Sequence, residues 1–95
     1  MPIDGLQAHR QTILELATRH GARNVRVFGS MVRGDARPNS DIDLLVEIEP
    51  GRTLLDLIAF EQDLEELLGC PVEVLTEGGL SPYLQERILA EAAAL

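Results

Sequence analysis

Lysine and tryptophan are absent from this sequence, and cysteine and tyrosine occur once each. Each shortage excludes something. One cysteine, Cys70, cannot form an internal disulfide, and its place between a helical pattern and the apolar run PVEVL suits a small core residue rather than a reactive thiol. Without lysine, any side-chain cation that meets a phosphate must be an arginine, which can engage phosphate oxygens bidentately. No apolar run approaches bilayer length, and the start MPIDGLQAHR lacks a basic region followed by an apolar one. Neither a spanning helix nor a secretory signal is expected, and the chain reads as cytoplasmic. Internal repeats, low-complexity tracts and Pro-, Gly- or Ser-rich linkers are missing too. The 95 residues are therefore expected to form a single domain, 1–95, around one core.

Charge is unevenly spread over a formal net of −8. Residues 1–40 carry six arginines against three acids, whereas residues 41–95 carry two arginines against thirteen acids. An acidic second half argues against long nucleic acid as the main ligand, because such binding needs many basic contacts to phosphates. It suits a basic protein partner better.

The periodicity alternates between helix and strand. DGLQAHRQTILELATRHG places Leu6, Ile13, Leu14, Leu16 and Ala17 largely on one side, and Gly21 ends it, which predicts a first helix. NVRVFGS alternates Val25 and Val27 inward with Arg26 outward, as a short strand should. DIDLLVEIE begins as an alternating strand and becomes continuously apolar at Leu44, Leu45 and Val46. TLLDLIAFEQDLEELLG is a helix with a capping-box start at Thr53 and Asp56 and an apolar stripe through Leu57, Phe60, Leu64, Leu67 and Leu68. PVEVLTE predicts a third strand. SPYLQERILAEAAAL predicts a last helix, with Ser81 as N-cap, Pro82 in the first turn and Ile88, Leu89, Ala92 and Leu95 on one face. The fold class is α/β (α+β), a small sheet of roughly three strands flanked by helices.

The chemistry concentrates in VFGSMVRGDARPNSDIDLLVEIE, residues 27–49. On a strand, Asp41 and Asp43 project to one face while Ile42 and Leu44 point to the other. Two carboxylates so placed repel one another, and Asp43 adjoins the most apolar part of the strand, where desolvation adds to the cost. Magnesium relieves both penalties, since it combines one or two carboxylates with water and substrate phosphates. Upstream, Gly29 lets the backbone turn close to a ligand, and the Ser30 hydroxyl with the amides after it can donate to an anion. Taken singly, a Gly-Ser pair is most often a turn and a D-x-D pair a solvated strand edge. Together they make a phosphate cradle opposite a metal-binding pair.

Gly29 and Ser30, ten residues, then Asp41-Ile42-Asp43 is the order and spacing G-S-x10-D-x-D, and here the sequence resembles the DNA polymerase β-like nucleotidyltransferases. In detail VFGSMVRGDARPNSDIDLLVE is similar to their minimal nucleotidyltransferase (MNT) branch, the antitoxins of type VII-like HEPN/MNT toxin–antitoxin pairs. The resemblance implies a nucleotidyltransferase fold and a two-metal phosphoryl-transfer site. Gly29 and Ser30 would hold the nucleotide triphosphate, and Asp41 and Asp43 would bind two Mg2+ ions. It also implies a third carboxylate on the next strand, where many relatives carry aspartate and this chain has Glu73, one methylene longer; an exposed strand residue is the alternative reading of Glu73. Arg33 is the preferred triphosphate contact, with Arg37 second, although both can equally be solvated or pair with Asp35.

Other residues carry less. His9 and His20 lack an acidic ligand pattern and read as surface histidines, so zinc is not indicated. Tyr83 is expected to pack or to meet a partner. The acidic run EQDLEELL is either a solvated helix face or a complement to a basic partner. Two function classes follow from the resemblance. One is an enzyme that transfers AMP from ATP to a hydroxyl, expected to be a tyrosine, of a cognate HEPN ribonuclease toxin. The other is a non-catalytic antitoxin that neutralises the toxin by binding. Transfer to RNA or to an aminoglycoside fits less well, because those relatives usually add substrate domains.

Overall fold

The computed structural model describes residues 3–29 and 41–95. Its elements run α1 (Ile3–Ala8), α2 (Arg10–Arg19), β1 (Ala22–Phe28), β2 (Ile42–Ile48), α3 (Leu54–Leu68), β3 (Val72–Thr76), a 3-10 turn (Glu77–Gly79), α4 (Pro82–Glu91) and β4 (Ala93–Ala94). The four strands form one mixed sheet in the order β3-β2-β1-β4. β1 is antiparallel to both neighbours, and β2 and β3 are parallel, joined through α3. Among the described residues no helix is long and apolar enough to cross a membrane.

Strand alternation assigns the two faces of the sheet. One face presents Val25, Val27, Ile42, Leu44, Val46, Val72 and Val74 to Leu6, Ile13, Ala17, Leu57, Phe60, Leu64 and Leu68 of the helices. Phe60 is wholly buried there, a burial that contributes about 1.5–3 kcal/mol for a side chain of this size. The opposite face carries Arg26, Phe28, Asp43, Leu45 and Glu73. Of these, Phe28 and Leu45 are buried outside the main core.

A bulge in β1 makes this assignment possible. Arg23 pairs with Glu47 and Arg26 with Leu45, so β1 spends one extra residue, and Asn24 takes up a positive φ of 52°. Without the extra residue, Ala22 and Val25 would fall on opposite faces. With it, Ala22, Val25 and Val27 all reach the core, and Arg26 turns to the other face, where its guanidinium meets Glu77 at 2.6 Å.

Most expected elements are present, with four differences. The first helix is interrupted at His9, leaving α1 and α2. The last helix stops at Glu91 because Ala92 is extended (ψ 139°), and Ala93–Ala94 add a fourth strand on β1. Alanine is a strong helix former, but two ladder pairs and the burial of Leu95 outweigh its local preference. His20 is largely buried rather than on the surface: its Nε2 lies 2.7 Å from Asp63 Oδ2, and its ring lies 6.1 Å from that of Phe60. Two residues of the acidic run are engaged within the fold, because β3 is an outer strand with backbone N–H groups to satisfy. The N–H of Val72 donates to Glu65 and that of Val74 to Glu61.

The expected caps are in place. Asp56 accepts the Thr53 N–H at 2.8 Å, Ser81 Oγ accepts the Leu84 N–H at 3.3 Å, and Gly69 ends α3 at φ 70°. Cys70 packs half-buried against the core, and burial pushes its thiol pKa up.

Candidate active site

The candidate site lies at one end of the face that carries Asp43. Phe28 and Asp43 are register partners across β1 and β2, and Asp43 and Glu73 are register partners across β2 and β3. Partners in register project to the same face. The sheet therefore sets Asp43 between the end of β1 and Glu73, with Asp41 just before β2. Glu73 stands between buried Val72 and Val74, as the alternation predicts, and is itself exposed. Asp43 is half-buried and Asp41 exposed.

Gly29 follows β1 at φ +81°, a region that favours glycine. A Cβ at this position would stand 2.5 Å from Asp43 Oδ2. Glycine is favoured by the backbone conformation, and any side chain here would have to displace the Asp43 carboxylate. Ser30, Arg33 and Arg37 lie outside the described residues.

Above this corner sits α4. Leu84, Arg87, Ile88 and Glu91 line a cleft of about 240 Å³ whose floor is Phe28, Gly29 and Asp43. A hollow of about 420 Å³ on α2, lined by Arg10, Leu14, Glu15 and Thr18, also holds a cation and a carboxylate but no glycine turn and no residue of the sheet. Arg87 is the candidate that sequence reasoning missed. It brings a cation to the floor occupied by Asp43, and only the folding back of a helix more than forty residues downstream places it there. The available signal was that arginine supplies every side-chain cation besides histidine.

Of the three carboxylates Asp43 lines the cleft, Glu73 is its register partner on β3 and Asp41 lies just before β2. They do not converge into a closed cage, since among the described residues no three His, Cys, Asp or Glu side chains gather as a metal cluster. The donor set nevertheless fits magnesium. All three groups offer hard oxygens, and this ion normally takes only one or two carboxylates, leaving its remaining positions to water and phosphate oxygens. The acidic surroundings extend to α3, where burial, together with the nearby Glu65 and Glu73 charges, raises the pKa of Glu61 against the opposing hydrogen bond from Val74.

Gly29, Asp43 and Arg87 line one cleft, and the chain as a whole is similar to known proteins. Residues 9–95 match the family model described as the nucleotidyltransferase domain. The protein adenylyltransferase MntA of Thermococcus cleftensis is 41% identical over 86 residues, covering 90% of this chain and 84% of that protein. A solved structure provisionally named a minimal nucleotidyltransferase is 52% identical, with a TM-score of 0.89 over 100% of this chain and 97% of that one. The same fold, at 18% identity and a TM-score of 0.70 over 93% of this chain and 69% of the other, occurs in a complex of a tri-AMPylated Shewanella oneidensis HEPN toxin with its MNT antitoxin. The chain belongs to the nucleotidyltransferase domain family, within its minimal, MntA-like branch. It is a transferase.

Proposed function

We propose that this chain is the antitoxin of a HEPN/MNT pair and transfers AMP from ATP to a tyrosine hydroxyl of its cognate HEPN ribonuclease toxin. The observation that carries the reading is the juxtaposition of Gly29 and Asp43, with Glu73 in register beside them. A turn without a Cβ lets backbone and phosphate approach a carboxylate that a side chain would displace. The name of the Thermococcus relative supports adenylyl transfer to a protein, and the Shewanella complex supports a HEPN toxin as the acceptor.

In this reading Asp41, Asp43 and Glu73 would hold two Mg2+ ions, which would supply positive charge to the phosphates. The chain's own residues do the rest. Gly29 and Ser30 cradle the triphosphate, while Arg33 and Arg87 supply positive charge to it, so that catalysis rests on positioning and electrostatics. Residues 1–95 act as one domain, with the acceptor supplied by the partner.

The test is intact mass spectrometry of the HEPN protein encoded beside this chain, after incubation with the chain, magnesium and each of the four nucleoside triphosphates. The expected result is an AMP increment with ATP that disappears in Asp41→Asn. A stable complex with no increment would leave neutralisation by binding as the function.

A further inference from the structure

We infer that the exposed face of α4 is the seat of the protein acceptor: the segment bearing the modified hydroxyl packs on Tyr83 and Leu84 and reaches past Arg87 into the cleft. The inference rests on the transferase reading and adds to it the surface that holds the substrate.

The helix is firmly started by Ser81 and Pro82, yet it buries no residue completely. Tyr83 is 85% exposed and Leu84 44%. Exposed apolar side chains that stand together beside a cleft mark a contact surface more often than scattered ones do. Here their position decides what the contact is. Leu84 and Arg87 form the wall of the cleft over Gly29 and Asp43. On the outer side of the same helix a second hollow, about 370 Å³, runs between Tyr83, Glu86, Arg87 and Ala90. Arg87 lines both hollows, so they adjoin at its side chain, the outer one reaching the exposed Tyr83 and the inner one the Asp43 carboxylate.

A nucleotide needs only the inner half of this pair of hollows, where Gly29 and Asp43 stand. A protein acceptor needs both halves. Its backbone stays outside while one side chain is inserted, and an exposed aromatic ring next to a leucine gives that segment a rigid apolar anchor of the kind that dominates protein contacts. The occupant is accordingly a segment of the acceptor protein with an apolar residue close to the hydroxyl-bearing side chain. The rival apolar patch, Leu54 and Leu55 at the start of α3, is as exposed (70% and 75%) but contributes nothing to the cleft.

The experiment compares wild type, Tyr83→Ala and Leu55→Ser with the HEPN protein encoded beside this chain. It measures the Kd of the complex without nucleotide, and the KM for the acceptor and for ATP in the transfer assay. Tyr83→Ala should raise both the Kd and the acceptor KM by about tenfold or more while the KM for ATP stays within about twofold, and Leu55→Ser should change none of them. Three results would overturn the seat on α4: a Tyr83→Ala complex as tight as wild type, the loss appearing in Leu55→Ser instead, or a parallel rise in the KM for ATP. Wild-type chain that transfers no nucleotide is a different outcome, which overturns the transferase reading and the acceptor with it.

Discussion

Gly29 and Asp43 are held so close that one carbon atom added to the glycine would lie 2.5 Å from a carboxylate oxygen. The antiparallel register brings them together, since Phe28 pairs with Asp43 and the chain turns at the next residue. Alanine at position 29 therefore meets two penalties, a positive φ that costs about 1 kcal/mol and a collision relieved only by moving Asp43. Gly29→Ala should lower Tm by a few degrees and reduce transfer by about a hundredfold or more. Nucleotide transfer assayed alongside a thermal melt checks both parts. Near-wild-type transfer would mean that the carboxylate position is not critical.

Much of this corner was legible in the sequence because its parts are local. Strand alternation puts Asp43 on the face opposite Ile42 and Leu44 whatever packs around it, and a turn at Gly29 follows from the strand ending at Phe28. The β1 bulge was not legible, since no signal at Asn24 separates a bulge from an ordinary strand start; it shows only in the pairing with β2. Arg87 and the β4 pairing are hidden for the same reason. Both depend on where α4 folds back, and Ala92-Ala93-Ala94 prefers helix until β1 is there to pair with it.

Glu73 separates the catalytic reading of β3 from the bland one. Its register partner is Asp43, but its side chain is exposed, so removing the charge should leave the fold untouched. Glu73→Gln is expected to slow transfer by about tenfold or more with Tm unchanged within about one degree. If the rate is unaffected, Glu73 is only an outward strand residue and the site works with two carboxylates.

Glu61 carries a cost at neutral pH. Its pKa is raised because burial disfavours the charged form and because Glu65 and Glu73 repel it, against the hydrogen bond from Val74. The sign follows from the shift. A carboxyl whose folded pKa lies above its unfolded value binds its proton more tightly in the native state, so the native state is penalised once pH exceeds the folded pKa, and the penalty fades as pH falls through that value towards the unfolded one. Glu61→Gln keeps an oxygen for the Val74 N–H while removing the charge. It should raise Tm at pH 7, and the gain should vanish below the ordinary glutamate pKa of 4.5. Melts of both proteins across pH 4–8 check this; a gain independent of pH would assign it to packing instead.

Leu95 closes the sheet. Its side chain is 8% exposed and packs with the core cluster, its N–H donates to the Val25 carbonyl at 3.1 Å, and its own carbonyl accepts the Arg10 Nε–H at 2.9 Å. The side chain thus fixes a residue whose backbone ties β4 to β1 and to α2. Leu95→Ala removes the apolar anchor and should cost about 2–4 kcal/mol, a large share of the stability of a domain this small. Urea unfolding of the variant measures it. Since β4 pairs with Arg26 and Val27, immediately before Phe28 and Gly29, amide hydrogen exchange at Val27 and Phe28 should quicken along with the global loss. A loss below about 1 kcal/mol, with exchange in β1 unchanged, would show that the sheet holds its site without β4.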